Sequence, residues 1–380
     1  MENIFITNLK IKQVRHLRDI TIPLSEQKAK HLILTGKNGS GKTSVAEALA
    51  RYLNKIYVGE REQAFKNCQK ELDIKLNKDI NGIPELAENH HYILAYYEAD
   101  RFFLAEQPKH IEKVQLKEYY EVSEFPRAEF VKYLLDLKMT EALARNNNKT
   151  EKADEIQIWF VKLERLLKQI FDDETIKIEF DEDTFDFRIL QQGKEPFGFN
   201  TLSRGYQAVL DIVLDIMMRM QYQTQRSFHF NLPGIVIIDE IETHLHLELQ
   251  RTILPFLTTF FPNIQFIVTS HSPFILNSIE NVVIYDLENH TLVEHGLDDV
   301  PYEGIVEGYF RVDKLSDMLK EKFEKYKNLV TKENLSDDEL GEIAELELYL
   351  DAIPDYLAIG IATEYKRMKL EFLNREDIDG

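Results

Sequence analysis

Two spacings of apolar residues alternate along this chain, one suited to strands and one to helix faces. The first 35 residues read as strands. Ile4-Phe5-Ile6 and Leu9-Lys10-Ile11 are short apolar clusters, and Ile20-Thr21-Ile22-Pro23-Leu24 alternates apolar and polar positions, as a half-buried strand does. Leu32-Ile33-Leu34 is apolar throughout. Beyond a glycine-rich loop, Val45, Leu49, Leu53 and Ile56 fall on one helical face. Residues 57–90 are polar and charged, with Lys66, Lys70, Lys75 and Lys78 among acids, which predicts a solvated, helix-rich insertion, with a basic stripe for DNA as the alternative. His91 to Tyr97 then reads as a buried strand. Residues 110–171 read as helices, with Ile156, Phe160, Leu163, Leu167 and Ile170 on one stripe, and Arg145-Asn146-Asn147-Asn148-Lys149 breaking the pattern. No heptad is sustained, so no long coiled-coil arm is expected.

Alternation returns at Ile176, Ile178 and Phe180 and again at Phe185, Phe187 and Ile189, predicting a hairpin that rejoins the sheet. An apolar helix runs through Val209, Leu210, Val213, Leu214 and Met217. Ile235-Val236-Ile237-Ile238 and Ile264-Gln265-Phe266-Ile267-Val268-Thr269 are strands of the kind that lie in a parallel sheet covered on both faces. Val282 to Tyr285 and Thr291 to Val293 read as a hairpin. Beyond about residue 303 the chain is helical, with a capping box from Ser336 to Glu339. The pattern as a whole predicts the α/β class, a mainly parallel sheet flanked by helices. Four segments are expected. Residues 1–57 hold an N-terminal antiparallel β subdomain and the glycine-rich loop. Residues 58–173 form a mainly helical insertion, from which the strand at 91–97 returns to the core. Residues 174–295 complete the sheet, and 296–380 form an acidic helical tail.

Composition narrows the setting. The chain has 380 residues, more than a typical single domain, and one cysteine, Cys68, so no internal disulfide framework is available. The N-terminal residues lack a charged segment followed by an apolar one, and no apolar run approaches the ~20 residues that span a bilayer. A cytoplasmic protein without a membrane role is the expectation. Sixty-six acidic residues outnumber 46 basic ones, for a net charge of −20, which opposes a generally basic nucleic-acid surface and fits a basic protein partner equally well. The acids concentrate late: residues 331–355 hold nine against a single lysine, so the tail reads as a solvated acidic helix or as a docking face for a basic protein.

The chemistry lies at strand ends. Gly36-Lys37-Asn38-Gly39-Ser40-Gly41-Lys42-Thr43 has the phosphate-loop pattern G-x-x-x-x-G-K-T between a strand and a helix, with Ser44 following in the first helical turn. Glycines let backbone wrap a phosphate, and a helix start aims N–H groups and a positive dipole at it. Lys42 would reach the β- and γ-phosphates of ATP, and Thr43 would hold Mg²⁺. Asp239-Glu240 closes a buried strand, where Asp239 would bind Mg²⁺ and Glu240 would polarise a water. His271 closes the neighbouring strand and points to the same nucleotide. Ser203 can cap the helix that follows it, either as a plain cap or as part of a second phosphate-facing helix start. Val14-Arg15-His16-Leu17-Arg18 is basic, and Arg15 or His16 sits either by the adenine or phosphates or in an exposed turn. Glu98-Ala99-Asp100-Arg101, at the end of the strand before the insertion, is a further place for γ-phosphate-facing groups. His244 and His246 make a poor zinc site and read as an interface loop.

Four motifs stand in order, and together they resemble the ATP-binding-cassette ATPases, in the branch that holds SMC, RecF-like and OLD-like proteins. Gly36 to Thr43 is the phosphate loop. Leu202-Ser203-Arg204-Gly205-Tyr206-Gln207 looks like the cassette signature. Asp239-Glu240-Ile241-Glu242-Thr243-His244-Leu245-His246 looks like an OLD-type Walker B and D-loop, and Thr269-Ser270-His271-Ser272-Pro273 like a switch-histidine strand. The resemblance covers about 1–57, 90–104 and 174–295. It implies an ABC-type head and a head-to-tail homodimer in which Ser203 and Gly205 meet the γ-phosphate on the other subunit. It further implies Glu240 as base, His271 as γ-phosphate sensor, and Thr43 with Asp239 as the Mg²⁺ site. The chain departs from the family where a glutamine often ends the strand before the insertion; here Tyr97-Glu98-Ala99-Asp100-Arg101 stands there. Single heads without coiled coils resemble ATPases of bacterial anti-phage systems of the Septu and PARIS types, which implies a separate effector such as a nuclease. A DNA repair or chromosome-maintenance ATPase, a transporter ATPase subunit disfavoured by the D-loop and insertion, and an ATP-locked scaffold with little turnover are the other readings.

Overall fold

In the computed structural model, residues 3–58, 63–78, 91–108, 110–300, 304–305, 317–351 and 359–374 are described. The chain divides into two compact units, Met1–Pro301 and Tyr302–Gly380.

The first unit opens with β1 (Ile6–Val14), β2 (Leu17–Pro23) and β3 (His31–Thr35), then α1 (Lys42–Tyr57), α2 (Gln63–Glu71), β4 (Leu72–Leu76) and β5 (Ile93–Tyr97). A 3₁₀ turn at Pro126–Glu129 leads into α3 (Phe130–Asn146), followed by α4 (Thr150–Phe171), β6 (Lys177–Asp181), β7 (Asp186–Leu190) and β8 (Phe197–Gly198). Next come α5 (Arg204–Met220), β9 (Gly234–Ile238), α6 (Leu247–Phe260), β10 (Ile264–Thr269), the short α7 (Pro273–Leu276), β11 (Val282–Asp286) and β12 (Thr291–Val293).

The central sheet has the order β12-β11-β3-β10-β9-β5. Only β12 runs antiparallel to its neighbour; β11, β3, β10, β9 and β5 pair in parallel. Every residue of β3, β9, β10 and β11 is buried. That explains their unbroken apolar runs, since each Ile, Leu or Val taken out of water contributes about 1.5–3 kcal/mol. Val45, Leu49, Leu53 and Ile56 of α1 pack into the same core. This topology brings the C-terminal ends of β3, β5, β9 and β10 to one edge, where open parallel sheets bind ligands.

Three expectations are corrected here. Within the segment read as a helix-rich insertion, Leu72-Asp73-Ile74-Lys75-Leu76 is a strand that pairs with β1, so the antiparallel subdomain is β2-β1-β4. Leu72 and Ile74 alternate inward, a period of two that the surrounding charge obscures; residues 79–90 of that segment lie outside the described residues. Residues 110–125 are not helical. The buried Arg219 guanidinium draws the carbonyls of Tyr120, Glu121 and Glu124 to itself, which takes them away from helical bonding. The β6–β7 hairpin does not rejoin the main sheet but forms its own sheet with β8. Its apolar face is satisfied by rings: Phe187 stacks on Phe160 of α4 at 5.9 Å and meets Phe180 at 5.0 Å.

The helix α5 is anchored by buried charges. Asp215 accepts from Tyr97 Oη at 2.8 Å and from Arg219 Nε at 2.7 Å. Arg127 pairs with Asp211 and Asp215. Burial pushes the Asp211 carboxyl up to about 6, with the Arg127 guanidinium opposing. Removing one partner of such a buried pair costs about 3–5 kcal/mol.

The second unit packs α8 (Asp317–Val330), α9 (Asp337–Asp351) and α10 (Ile359–Leu373) around Phe323, Tyr326, Leu346 and Tyr365. The capping box is formed: Ser336 N donates to Glu339 Oε2 at 3.0 Å, and Glu339 N donates to Ser336 Oγ at 3.3 Å.

Candidate nucleotide site

The loop between β3 and α1 is built for close backbone approach. Gly36, Gly39 and Gly41 all have positive φ, at 134°, 87° and 100°. A Cβ at Gly36 would lie 2.8 Å from Ser40 Oγ, and one at Gly41 would lie 2.8 Å from a Leu17 methyl. Glycine is therefore required twice, for conformation and for space. Gly41 caps α1 without a side-chain hydrogen bond, and no acidic residue stands in the first turn, so the positive helix end is left open. Lys42, buried, donates from Nζ to the Gly36 carbonyl at 2.8 Å and to the Lys37 carbonyl at 3.2 Å. It curls over the loop as a ready cation. Ser40 Oγ is buried without a partner among the described residues, a polar atom inside the cradle that suits a phosphate oxygen. Ser44 is buried behind the loop, and Thr43 is exposed beside it.

The turn after β9 supplies the carboxylates. Asp239, buried, accepts from Thr269 Oγ1 at 2.5 Å. The same Thr269 oxygen accepts the Glu240 N–H at 2.7 Å, and the Thr269 carbonyl accepts the Ile241 N–H at 3.1 Å. One threonine at the end of β10 thus braces the turn. Glu240 takes φ 42°, a left-handed conformation that costs about 1–3 kcal/mol for such a residue. Hard oxygen donors on Thr43 and Asp239 are the type Mg²⁺ selects, and Asp239 retains a carboxylate oxygen beyond the one Thr269 engages.

His271 is half-exposed at the end of β10. Its Nδ1 lies 2.9 Å from Glu242 Oε1, and its backbone N–H donates to the same oxygen at 2.7 Å. The hydrogen bond to Glu242 raises the His271 pKa, burial pulls the other way, and the Lys42 charge lowers it while Glu240 adds to the rise. Burial pushes the Glu242 carboxyl up, but the two His271 hydrogen bonds outweigh it and hold it below its ordinary value. The raised histidine contributes stability that is fully present below its ordinary 6.5 and is lost as pH rises through the folded value. The lowered glutamate contributes stability present above its ordinary 4.5 and lost as pH falls through the folded value. The pair is therefore strongest between those two pH values. Replacing Glu242 by Gln is expected to bring the His271 titration, followed by NMR of its ring protons, back down toward 6.5; an unmoved titration would show that Glu242 does not hold the imidazolium.

Other predicted residues fall as follows. Arg15 and His16 form the two-residue turn between β1 and β2, with Arg15 at φ 52°. His16, Lys37, Asn38 and Ser40 line a cavity of about 470 Å³ with Leu287 and Glu288, whereas Arg15 does not line it. Glu288 holds Lys37, at 2.9 Å from its Nζ and 3.3 Å from its backbone N. Ser203 stands at the N-cap of α5 but makes no side-chain cap bond, which corrects the capping expectation; its backbone is extended and its side chain exposed. Gly205 is buried, and a Cβ there would lie 3.0 Å from the His244 carbonyl oxygen. The first turn of α5 and the loop after Glu240 therefore touch within one chain. His246 Nδ1 accepts from Leu249 N at 3.4 Å as the cap of α6, and His244 faces Asp100 at 3.6 Å. No metal-binding group of three His, Cys, Asp or Glu occurs among the described residues.

Glu242, Thr269 and Arg101 are the residues whose roles sequence reasoning missed. Glu242 carries a readable signal, an acid two residues beyond the Asp-Glu pair. Thr269 and Arg101 bond across the sheet edge to a distant segment, Thr269 to the Asp239 carboxylate and the Glu240 N–H and Arg101 to the carbonyls of residues 239–241, so residue type alone does not give their roles.

A parallel sheet whose strand ends gather a glycine loop, a carboxylate pair and a histidine defines a nucleotide-binding α/β domain. Residues 56–276 match the AAA ATPase domain, more than half of the chain, and the chain belongs to that family. The match begins beyond Gly36–Thr43 and takes in Ser203, Asp239, Glu240 and His271. Septu protein PtuA of Bacillus mycoides (strain KBAB4) is 27% identical over 399 residues, covering 94% of this chain and 51% of that protein. Retron Ec83 probable ATPase of Escherichia coli is 35% identical over 151 residues, covering 37% of this chain and 27% of that protein. The chain thus spans about half the length of the first and about a quarter of the second. Among solved structures, an SmcHead bound to the C-winged helix domain of ScpA matches with a TM-score of 0.40 at 14% identity, covering 78% of this chain and 98% of that one. No described helix is long and apolar enough to cross a membrane.

Proposed function

We propose that this chain is an ATP-binding and ATP-hydrolysing switch of ABC type that pairs head-to-tail on ATP and controls a separate effector in anti-phage defence. The observation that carries the reading is the gathering of Lys42, Asp239, Glu240 and the Glu242-held His271 at one sheet edge. In this reading the loop from Gly36 to Thr43 wraps the phosphates, and Lys42 moves its ammonium from the Gly36 and Lys37 carbonyls to the β- and γ-phosphates. Glu240 accepts a proton from the attacking water, and His271, as imidazolium, bonds the γ-phosphate. Mg²⁺ held by Thr43 and Asp239 would neutralise charge between the phosphates. The relatives PtuA and the retron ATPase support the defence setting. A basic effector surface fits the net charge of −20.

Pairing is the part that α5 would supply. Its start is exposed at Ser203, whose hydroxyl is not spent on capping. With no acidic residue in its own first turn, this helix start can close on a γ-phosphate held by a second copy. Chains carrying Ser203→Arg and chains carrying Lys42→Ala should each be inactive alone. Mixed, they should recover roughly a quarter of parental turnover, the fraction for random pairing at two independent composite sites. No recovery in a mixture shown by native mass spectrometry to contain the mixed dimer would reject action between subunits.

A further inference from the structure

We infer that Arg101 is a positioning residue for ATP hydrolysis, gripping the backbone turn that aims Asp239 and Glu240. Its guanidinium is buried at the end of β5. Nη1 donates to the Asp239 carbonyl at 2.9 Å and to the Glu98 carbonyl at 3.0 Å, with Ala99 O at 3.5 Å. Nη2 donates to the Ile241 carbonyl at 2.8 Å and to Glu240 at 3.3 Å. Three successive carbonyls, 239 to 241, thus converge on one side chain. A strand that simply ended would send successive carbonyls to alternate sides. Convergence requires the left-handed Glu240, at φ 42°, and something must hold it there.

The grip has two halves that meet at Glu240. Thr269 takes the Glu240 N–H from the β10 side, and Arg101 takes the carbonyls from the β5 side. Burial lowers the Arg101 pKa to about 10, against the pull of Asp211, Glu242, Asp239 and Glu240. The group is thus a cation solvated mainly by backbone dipoles. A planar fork of five N–H groups can serve carbonyls from both segments at once, whereas an ammonium offers three donors from a single point. Arg101 also joins β5 to the catalytic turn, since Glu98 and Ala99 share the same guanidinium. Its outer side borders a cavity of about 790 Å³ with Arg51, Tyr96, Phe102 and Arg127.

This inference rests on the reading of Glu240 as the hydrolytic base, and the test separates the two. Arg101→Lys, made in the full chain, is expected to lower single-turnover hydrolysis tenfold or more while MgATP affinity stays within twofold of the parent. In a Glu240→Gln background the same substitution should cause little further loss, because a residue that acts through Glu240 has nothing left to aim. A purely structural role would instead lower affinity and turnover together and multiply with Glu240→Gln. Either that pattern or parental turnover by Arg101→Lys overturns the inference. If Arg101→Lys fails to fold, Arg101→Gln, which keeps a neutral planar donor, is measured in the same way and judged by the same outcomes. A parent chain that binds ATP without hydrolysing it overturns the functional reading and this inference together; a hydrolysing parent with an unaffected Arg101 variant overturns this one alone.

Discussion

Lys42→Ala is expected to abolish ATP binding at concentrations that saturate the parent chain. A hydrogen bond to a charged group is worth roughly 1.5–3 kcal/mol, which is about tenfold to a hundredfold in affinity. The structure adds a second loss. Lys42 Nζ braces the Gly36 and Lys37 carbonyls, so alanine removes the donor that keeps the loop wound. The side chain is buried under the loop, and among the described residues its charge faces no carboxylate in hydrogen-bonding range, so its ammonium is available to phosphate. Calorimetric titration with MgATP measures this directly, and an affinity within twofold of the parent would exclude the loop as the phosphate site.

Glu240→Gln should leave ATP bound and stop its hydrolysis. Glutamine keeps the size of the side chain, and its amide oxygen can still accept from Thr243 Oγ1, now 3.4 Å from Glu240 Oε2. The backbone holds on Glu240, through Thr269 and Arg101, do not involve the carboxylate. Only proton acceptance is removed, and general-base catalysis contributes about 10²–10⁴ in rate. Phosphate release should fall by that factor. If the site is shared between two copies, dimers should accumulate with ATP, visible as a doubled mass by light scattering. Turnover within a few-fold of the parent would remove Glu240 from the role of base.

Much of the sheet was legible because its strands are buried on both faces. Ile235 to Ile238 and Ile264 to Thr269 leave no polar position open to water, and β9 and β10 follow those runs closely. The glycine loop was legible because glycine and lysine at fixed spacing answer local demands, positive φ and a reach of one turn. What escaped depended on distant partners. Leu72 to Leu76 became a strand because β1 offers an unpaired edge to it. The β6–β7 hairpin stayed off the main sheet because Phe187 found Phe160 on a helix. Ser203 reads as a cap from its residue type, and its backbone is extended as at an N-cap, yet its hydroxyl makes no cap bond. Gly205 enters the sequence reading only through the resemblance to the cassette signature; what only the fold shows is that a Cβ there would meet the His244 carbonyl.

The sequence by itself determined the sheet, the glycine loop and the carboxylate pair, since each follows from local periodicity or from residue chemistry at short spacing. Only the tertiary structure decided how the pair is aimed. Thr269 and Arg101 lie far along the chain from the turn they hold, as His271 does from Glu242, and Arg101 bonds to carbonyls, which carry no residue identity. Their effect on Glu240 and His271 exists only once β5, β9 and β10 stand side by side.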